Sequence, residues 1–270
     1  MTTQHDVAGG APRWSRYVAV GDSFTEGLWD SPRGEDGPLR GWADVLAAHL
    51  SDRRRAAGLP PLQYANLAVR GRLLRAVVAE QLPAALALEP DLVSLVGGGN
   101  DILRPGSDPD RLARQLEQAV SRVRATGADV LLATGFDSAG SALVSVTRPK
   151  VGVYNAHIWS IARRHGAHVL DLWGMRHLRD IRMWSPDRIH LTTEAHARVA
   201  QGALVGLGLA PDDAAWDDAP TDVPRVSRVE QARLDARWVR VYAYPWATRR
   251  LRGTSSGDTR RPKLPELTEI

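Results

Sequence analysis

Five short apolar runs punctuate the chain, at positions 17–20, 63–68, 92–96, 130–134 and 168–172. They are rich in β-branched and aliphatic residues and bounded by turn formers, which predicts strands buried on both faces. Between them, apolar positions recur at helical spacing over 42–57, 73–88, 110–126 and 151–165, and again over 192–207 after the last run. Strand and helix alternate throughout, so residues 17–210 are expected to form an α/β domain with a five-stranded parallel sheet and right-handed crossovers. Sites in such sheets open beyond the carboxyl ends of the strands. Three turns fall on that edge: Gly21-Asp22-Ser23 after the first strand, Val69-Arg70-Gly71 after the second, and Gly97-Gly98-Gly99-Asn100-Asp101 after the third.

The pattern changes after Pro211. An acidic stretch, 212–222, leads into a predicted amphipathic helix over 226–242, with Val226, Val229, Leu234, Trp238, Val241 and Tyr242 at near-helical spacing. Pro245 is expected to end or kink it. The remainder to Ile270, rich in Arg, Pro, Ser and Gly, reads as irregular, so 211–270 is a C-terminal extension and 1–16 an N-terminal tail.

Composition narrows the chemistry. No residue among the 270 is cysteine, which removes disulfides, zinc–thiolate sites and a cysteine nucleophile together. There is no apolar run of about 18 residues, and the first sixteen positions lack the apolar stretch of a signal peptide; the expectation is a cytoplasmic protein without membrane insertion. Net charge is only +4, but eleven Arg and Lys between positions 223 and 264 face just Glu230, Asp235 and Asp258. Such a patch attracts phosphate, yet a solvated helix face or a tail docked on the protein's own acids explains it more simply, and no nucleic-acid-binding motif accompanies it. No nucleic acid partner is expected, and nothing in the sequence speaks to oligomeric state.

A serine hydrolase needs a base within reach of the hydroxyl, a carboxylate to orient that base, and donors aimed at the developing oxyanion. In Ser185-Pro-Asp-Arg-Ile-His190, Asp187 precedes His190 by three residues in a loop before the last core helix. A turn at that spacing lets the carboxylate meet one ring nitrogen while the other points outward, toward Ser23. Each residue also has a plainer reading: Ser23 or Asp187 as a helix cap, Asn100 as the brace of a glycine turn. Their joint occurrence at one sheet edge favours chemistry.

Gly21-Asp22-Ser23, Gly71, Gly98-Gly99-Asn100-Asp101 and Asp187-Arg188-Ile189-His190, in that order, resemble the four sequence blocks of the SGNH (GDSL) hydrolase family over roughly residues 17–207. The resemblance implies a flavodoxin-like three-layer α/β/α sandwich and a cofactor-independent serine esterase acting on a small-molecule ester. Ser23 would be the nucleophile, His190 the base and Asp187 its orienting acid, with the Ser23 and Gly71 N–H groups and the Asn100 amide forming the oxyanion hole. Two departures stand out. Phe24 replaces the usual Leu and reads as packing behind the nucleophile, and Val-Arg-Gly-Arg around Gly71 is the least specific block.

Other motifs carry less. His196 is the nearest rival base, but it falls inside a helical run. His165 and His168 have metal-like spacing without a carboxylate or thiolate beside them in sequence, so no metal is expected. Gly253-Thr-Ser-Ser-Gly257 matches the G-x-S-x-G elbow of α/β-hydrolases, yet it lacks the flanking strand and helix and has no downstream His. Trp29, in the long segment 28–40, and Trp184, beside the Asp187 loop, are candidate pocket walls, with surface packing equally open for both. The same apparatus would serve an acyltransferase or a carbohydrate or natural-product deacetylase. A binding module built on 225–263 is the alternative from another class.

Overall fold

Tyr17, Val18, Ala19 and Val20 are all fully buried, and successive side chains of this first strand enter different cores. The computed structural model describes residues 12–31, 38–137, 145–219, 227–245, 248 and 255–270. The strands are β1 (Arg16–Val20), β2 (Gln63–Asn66), β3 (Leu92–Leu95), β4 (Asp129–Ala133), β5 (His168–Leu170) and β6 (Leu264–Glu269). The helices are α1 (Ser23–Glu26), α2 (Trp42–Ala56), α3 (Leu74–Ala76), α4 (Leu82–Ala87), α5 (Gly99–Ile102), α6 (Pro109–Arg124), α7 (Arg148–His165), α8 (Thr193–Gly206) and α9 (Arg228–Trp238).

One core joins Tyr17, Ala19, Leu131 and Ala133 to α2 and α8; the other joins Val18, Val20, Val130 and Leu132 to α3, α4, α6 and α7. The period-two alternation of the strands thus sorts the helices into two layers. Each fully buried Val or Leu contributes about 1.5–3 kcal/mol to holding them there. Local signals set the helix starts: Asp108 accepts hydrogen bonds from the Asp110 and Arg111 N–H groups ahead of α6, and Thr192 accepts from Ala195 ahead of α8. Each cap is worth about 1 kcal/mol.

The sheet order is β5-β4-β3-β1-β2-β6, with β1 to β5 parallel. The winding reverses at β1, so a crevice opens where the chain leaves β1 and β3, the edge expected to carry the site.

The structure departs from the sequence reading at two elements. The end of the chain, expected to be irregular, supplies a sixth strand: β6 runs antiparallel to β2, making the sheet mixed, with a register shift between Tyr64 and Asn66. Pro265 lies within this edge strand, a position that tolerates a missing N–H. The helix predicted over 73–88 runs without a gap from Leu74 to Ala87, but its middle turn (Val77–Gln81) is π-helical and separates α3 from α4. In this turn the Leu82 N–H donates to the Val77 carbonyl five residues back, and Pro83, which has no N–H, follows directly.

Beyond the core, α9 lies within the helix predicted over 226–242, and a second π-helical turn (Val239–Ala243) follows it. Several expectations fall wholly or partly outside the described residues: the tail 1–11, residues 32–37 of the long segment, 220–226 of the acidic stretch and helix start, the two residues after Pro245, and most of the basic run 249–254.

Candidate active site

Ser23 opens α1 directly after β1. Asp22, in extended conformation, caps this short helix by accepting from the Phe24 N–H at 3.1 Å. The turn is held from behind by Gln81, whose amide both accepts from Gly21 N–H (2.8 Å) and donates to Gly21 C=O (2.9 Å). The π-helical turn therefore places Gln81 where it braces the Gly21–Ser23 turn. Phe24 stacks on Trp42 at 5.6 Å and meets Phe136 edge-on, and rather than only packing behind Ser23 it lines the same cavity.

His190 arrives from the far side of the sequence. Its Nε2 lies 2.8 Å from Ser23 Oγ, and its Nδ1 lies 2.6 Å from Asp187 Oδ2. The other Asp187 oxygen accepts the Ile189 and His190 N–H groups, both at 3.0 Å. Burial alone would raise the Asp187 carboxyl, but its hydrogen bonds from His190 and the backbone, with the imidazole's charge, outweigh that and hold it below the ordinary carboxylate range. The turn is closed by Arg188 N–H donating to Ser185 C=O and Ser185 N–H donating to His190 C=O, both 2.8 Å. Arg188 sits at φ +57°, an uncommon conformation for a residue with a Cβ.

Asn100 stands at the start of α5, after β3. Its Nδ2 donates to Asp22 Oδ2 at 3.2 Å and to the Arg72 carbonyl at 3.1 Å. Burial pushes the Asp22 carboxyl up to about 6, against the opposing pull of the Phe24 N–H. Gly98 makes the turn possible: its φ is +100°, and an added Cβ would lie 2.8 Å from the Tyr154 hydroxyl, which donates to the Gly97 carbonyl.

A cavity of about 750 Å³ opens from Ser23, His190 and Asn100, with Phe136, Tyr154 and Trp184 among its walls. Trp184 is fixed there by its indole N–H on the Leu178 carbonyl and by edge-on contact with Phe136. The sequence-predicted residues divide accordingly. Ser23, His190, Asn100 and Trp184 border the cavity, and Asp187 backs His190.

Gly71 and Trp29 do not border it. Gly71, at φ +74°, faces the C-terminal segment, where Ser255 Oγ occupies the space a Cβ would need. Neighbouring Arg70 is ion-paired with the buried Glu26 at 2.7 Å, tying this second turn to α1. Trp29 is 41% exposed and meets Tyr242 edge-on, and none of the described residues of segment 28–40 lines the cavity. A left-handed turn at Gly27 and Trp29 directs this segment away from the pocket.

His196 is fully enclosed, stacked on Phe24, and accepts the Trp42 N–H on Nδ1; burial, reinforced by nearby positive charge, lowers its pKa to about 3. It is a packing residue. His165 pairs with Glu117, and His168 with the Gly206 carbonyl. Ser255 of the G-x-S-x-G match takes Asp258 on its own N–H in a surface turn.

Sequence reasoning missed Asp235, Trp238 and Val239, which form a further wall of the cavity. Trp238 was legible as one apolar position of a helix, but nothing local linked that helix to the site.

A bonded Asp–His–Ser line at the switch point of a doubly wound sheet defines a hydrolase of the serine class on an α/β sandwich. The chain belongs to the GDSL-like lipase/acylhydrolase family, which matches residues 19–198, and it is an ester-cleaving enzyme. Its fold is similar to LAE5, an alpha/beta hydrolase enzyme from the metagenome of Lake Arreo, Spain: 25% identity, covering 74% of this chain and 97% of that one, TM-score 0.60. It is also similar to a variant of Axe2, an acetyl xylan esterase from Geobacillus stearothermophilus, at 20% identity over 73% and 95% of the two chains and TM-score 0.60. TesA is similar at 25% identity over 71% and 97%, TM-score 0.54. No curated protein matches the chain significantly. Among the described residues, no helix is long and apolar enough to cross a membrane.

Proposed function

We propose that the chain hydrolyses a carboxylic ester through an acyl intermediate on Ser23. The observation that carries this reading is the 2.8 Å contact between Ser23 Oγ and His190 Nε2, with Asp187 on the opposite ring nitrogen. In the first half-reaction Oγ attacks the ester carbon while Nε2 takes its proton. The tetrahedral intermediate collapses as that proton passes to the departing alcohol. Water then enters, gives its proton to Nε2 and attacks the acyl carbon, releasing the acid and restoring Ser23.

The oxyanion is held by the N–H of Ser23 and the amide of Asn100, which border the cavity; Gly71, the third donor that the resemblance implies, lies outside its lining. The Asn100 donor is engaged by Asp22 at 3.2 Å, a long bond that an incoming oxyanion displaces at small cost. Removing one such donor typically lowers the rate about 100- to 1,000-fold.

The cavity favours a bulky, largely apolar substrate. At about 750 Å³, with Phe136, Tyr154, Trp184 and Trp238 on its walls, it falls in the range of sites for drug-sized ligands and far exceeds an acetyl group. An ester panel running from acetyl to long acyl groups on small and bulky alcohols, assayed with wild type and Ser23→Ala, tests both parts. Activity that rises with the combined bulk of acyl and alcohol groups and disappears in Ser23→Ala is expected. Full activity in the variant refutes the nucleophile, and a preference for esters small in both acyl and alcohol parts refutes the substrate class.

A further inference from the structure

Helix α9 lies beyond residues 19–198, the part of the chain that the family matches, yet it touches the turn carrying Asp187 at three points. The Trp238 indole N–H donates to the Asp187 carbonyl at 2.8 Å. The Arg188 guanidinium lies over the Trp238 ring at 5.2 Å and pairs with Asp235 at 2.7 Å. Trp238 itself is only 9% exposed, in a helix whose Val229 and Leu234 are exposed. The ring's burial is therefore spent on this turn rather than on the general core.

The turn is closed from within by the bonds among Ser185, Asp187, Arg188, Ile189 and His190, and α9 supports it from outside. Arg188 adopts a left-handed conformation that a residue with a Cβ resists, and this conformation orients the peptide groups flanking Asp187. Without the indole, a carbonyl packed under α9 would lose its donor, and the Arg188 side chain would lose its platform. A rotation of that peptide moves Asp187 Oδ2 off His190 Nδ1, where the two now stand 2.6 Å apart.

We propose that Trp238 is a positioning residue for the reaction: α9 is a built part of the active site that holds the Asp187–Arg188 peptide in the geometry that aims His190 at Ser23. This rests on the reading of Ser23, His190 and Asp187 given above. Because Asp235, Trp238 and Val239 also wall the cavity, one helix both shapes the pocket and sets the base.

Trp238→Phe separates these two duties, since it keeps an aromatic ring beneath Arg188 and in the wall but removes the N–H. On p-nitrophenyl butyrate with the full chain, kcat is expected to fall about 3- to 10-fold, the effect of one lost hydrogen bond, with KM unchanged. The rate of Ser23 labelling by a fluorophosphonate should fall by the same factor, and the melting temperature by less than about 4 °C. Unchanged kcat, a rise in KM alone, or a loss of activity that merely tracks loss of folded protein each overturns the proposal. Wild-type protein that turns over no ester, or that is labelled away from Ser23, defeats the reading of the site itself, an outcome distinct from an active wild type that Trp238→Phe leaves unaltered.

Discussion

In the proposed mechanism Asp187 acts by staying charged in a place where burial opposes charge. Its carboxylate accepts three hydrogen bonds, two from the backbone and one from His190 Nδ1. The last of these fixes the tautomer that leaves the Nε2 lone pair facing Ser23. Asp187→Asn keeps the size but offers an N–H to the imidazole, so kcat should drop about 1,000- to 10,000-fold in a folded protein. Stability adds a second signature. The folded-state pKa lies below the unfolded value of about 3.9, so the ionised group contributes stability above that pH and loses it as pH falls through the folded value. Urea midpoints at pH 7 and pH 3 should show wild type ahead of the variant at pH 7, with the gap closing at pH 3; a gap of constant size would count against the assigned shift.

At the scale of elements, the glycine turn after β3 shows how local signals place a functional group. Gly98 takes φ +100° under the Tyr154 ring, and the next two residues deliver Asn100 to the cavity. Gly98→Ala should therefore cost at least about 2 kcal/mol, from strain and the 2.8 Å approach to Tyr154, and should lower kcat as Asn100 shifts. A denaturation curve matching wild type would refute this. Such turns were legible in the sequence because their signals are local: apolar runs ending in Gly-Asp-Ser or Gly-Gly-Asn, and an acid three residues before a histidine. Elements fixed by distant partners were not. The π-helical turn ahead of Pro83 has a use, Gln81 bracing Gly21, that appears only when the sheet is assembled. β6 carries Pro265, Glu266 and Glu269 and lacks strand-like alternation; it forms because β2 offers an open edge, while Leu264, Leu267 and Ile270 find apolar neighbours. Trp29 looked like a wall because it follows the Gly21–Ser23 turn, and a left-handed backbone sends it to Tyr242 instead.

Across the whole molecule, the chain closes on itself around the site. Lys263 reaches back to the Glu26 and Leu39 carbonyls and to Asp44, while Ser255 packs against Gly71, so these residues of the C-terminal segment are engaged by the α/β sandwich. α9 completes the pocket from one side and supports the Asp187 turn. The result is that two residues 167 positions apart share a hydrogen bond. A fluorophosphonate bonds rapidly only to a hydroxyl activated by its base, so peptide mapping by mass spectrometry after labelling the full chain reads that pairing directly. One adduct is expected, on the peptide carrying Ser23, and it should form far more slowly in His190→Ala. Labelling elsewhere in folded, ester-cleaving protein, or Ser23 labelling that proceeds equally fast without His190, would contradict it.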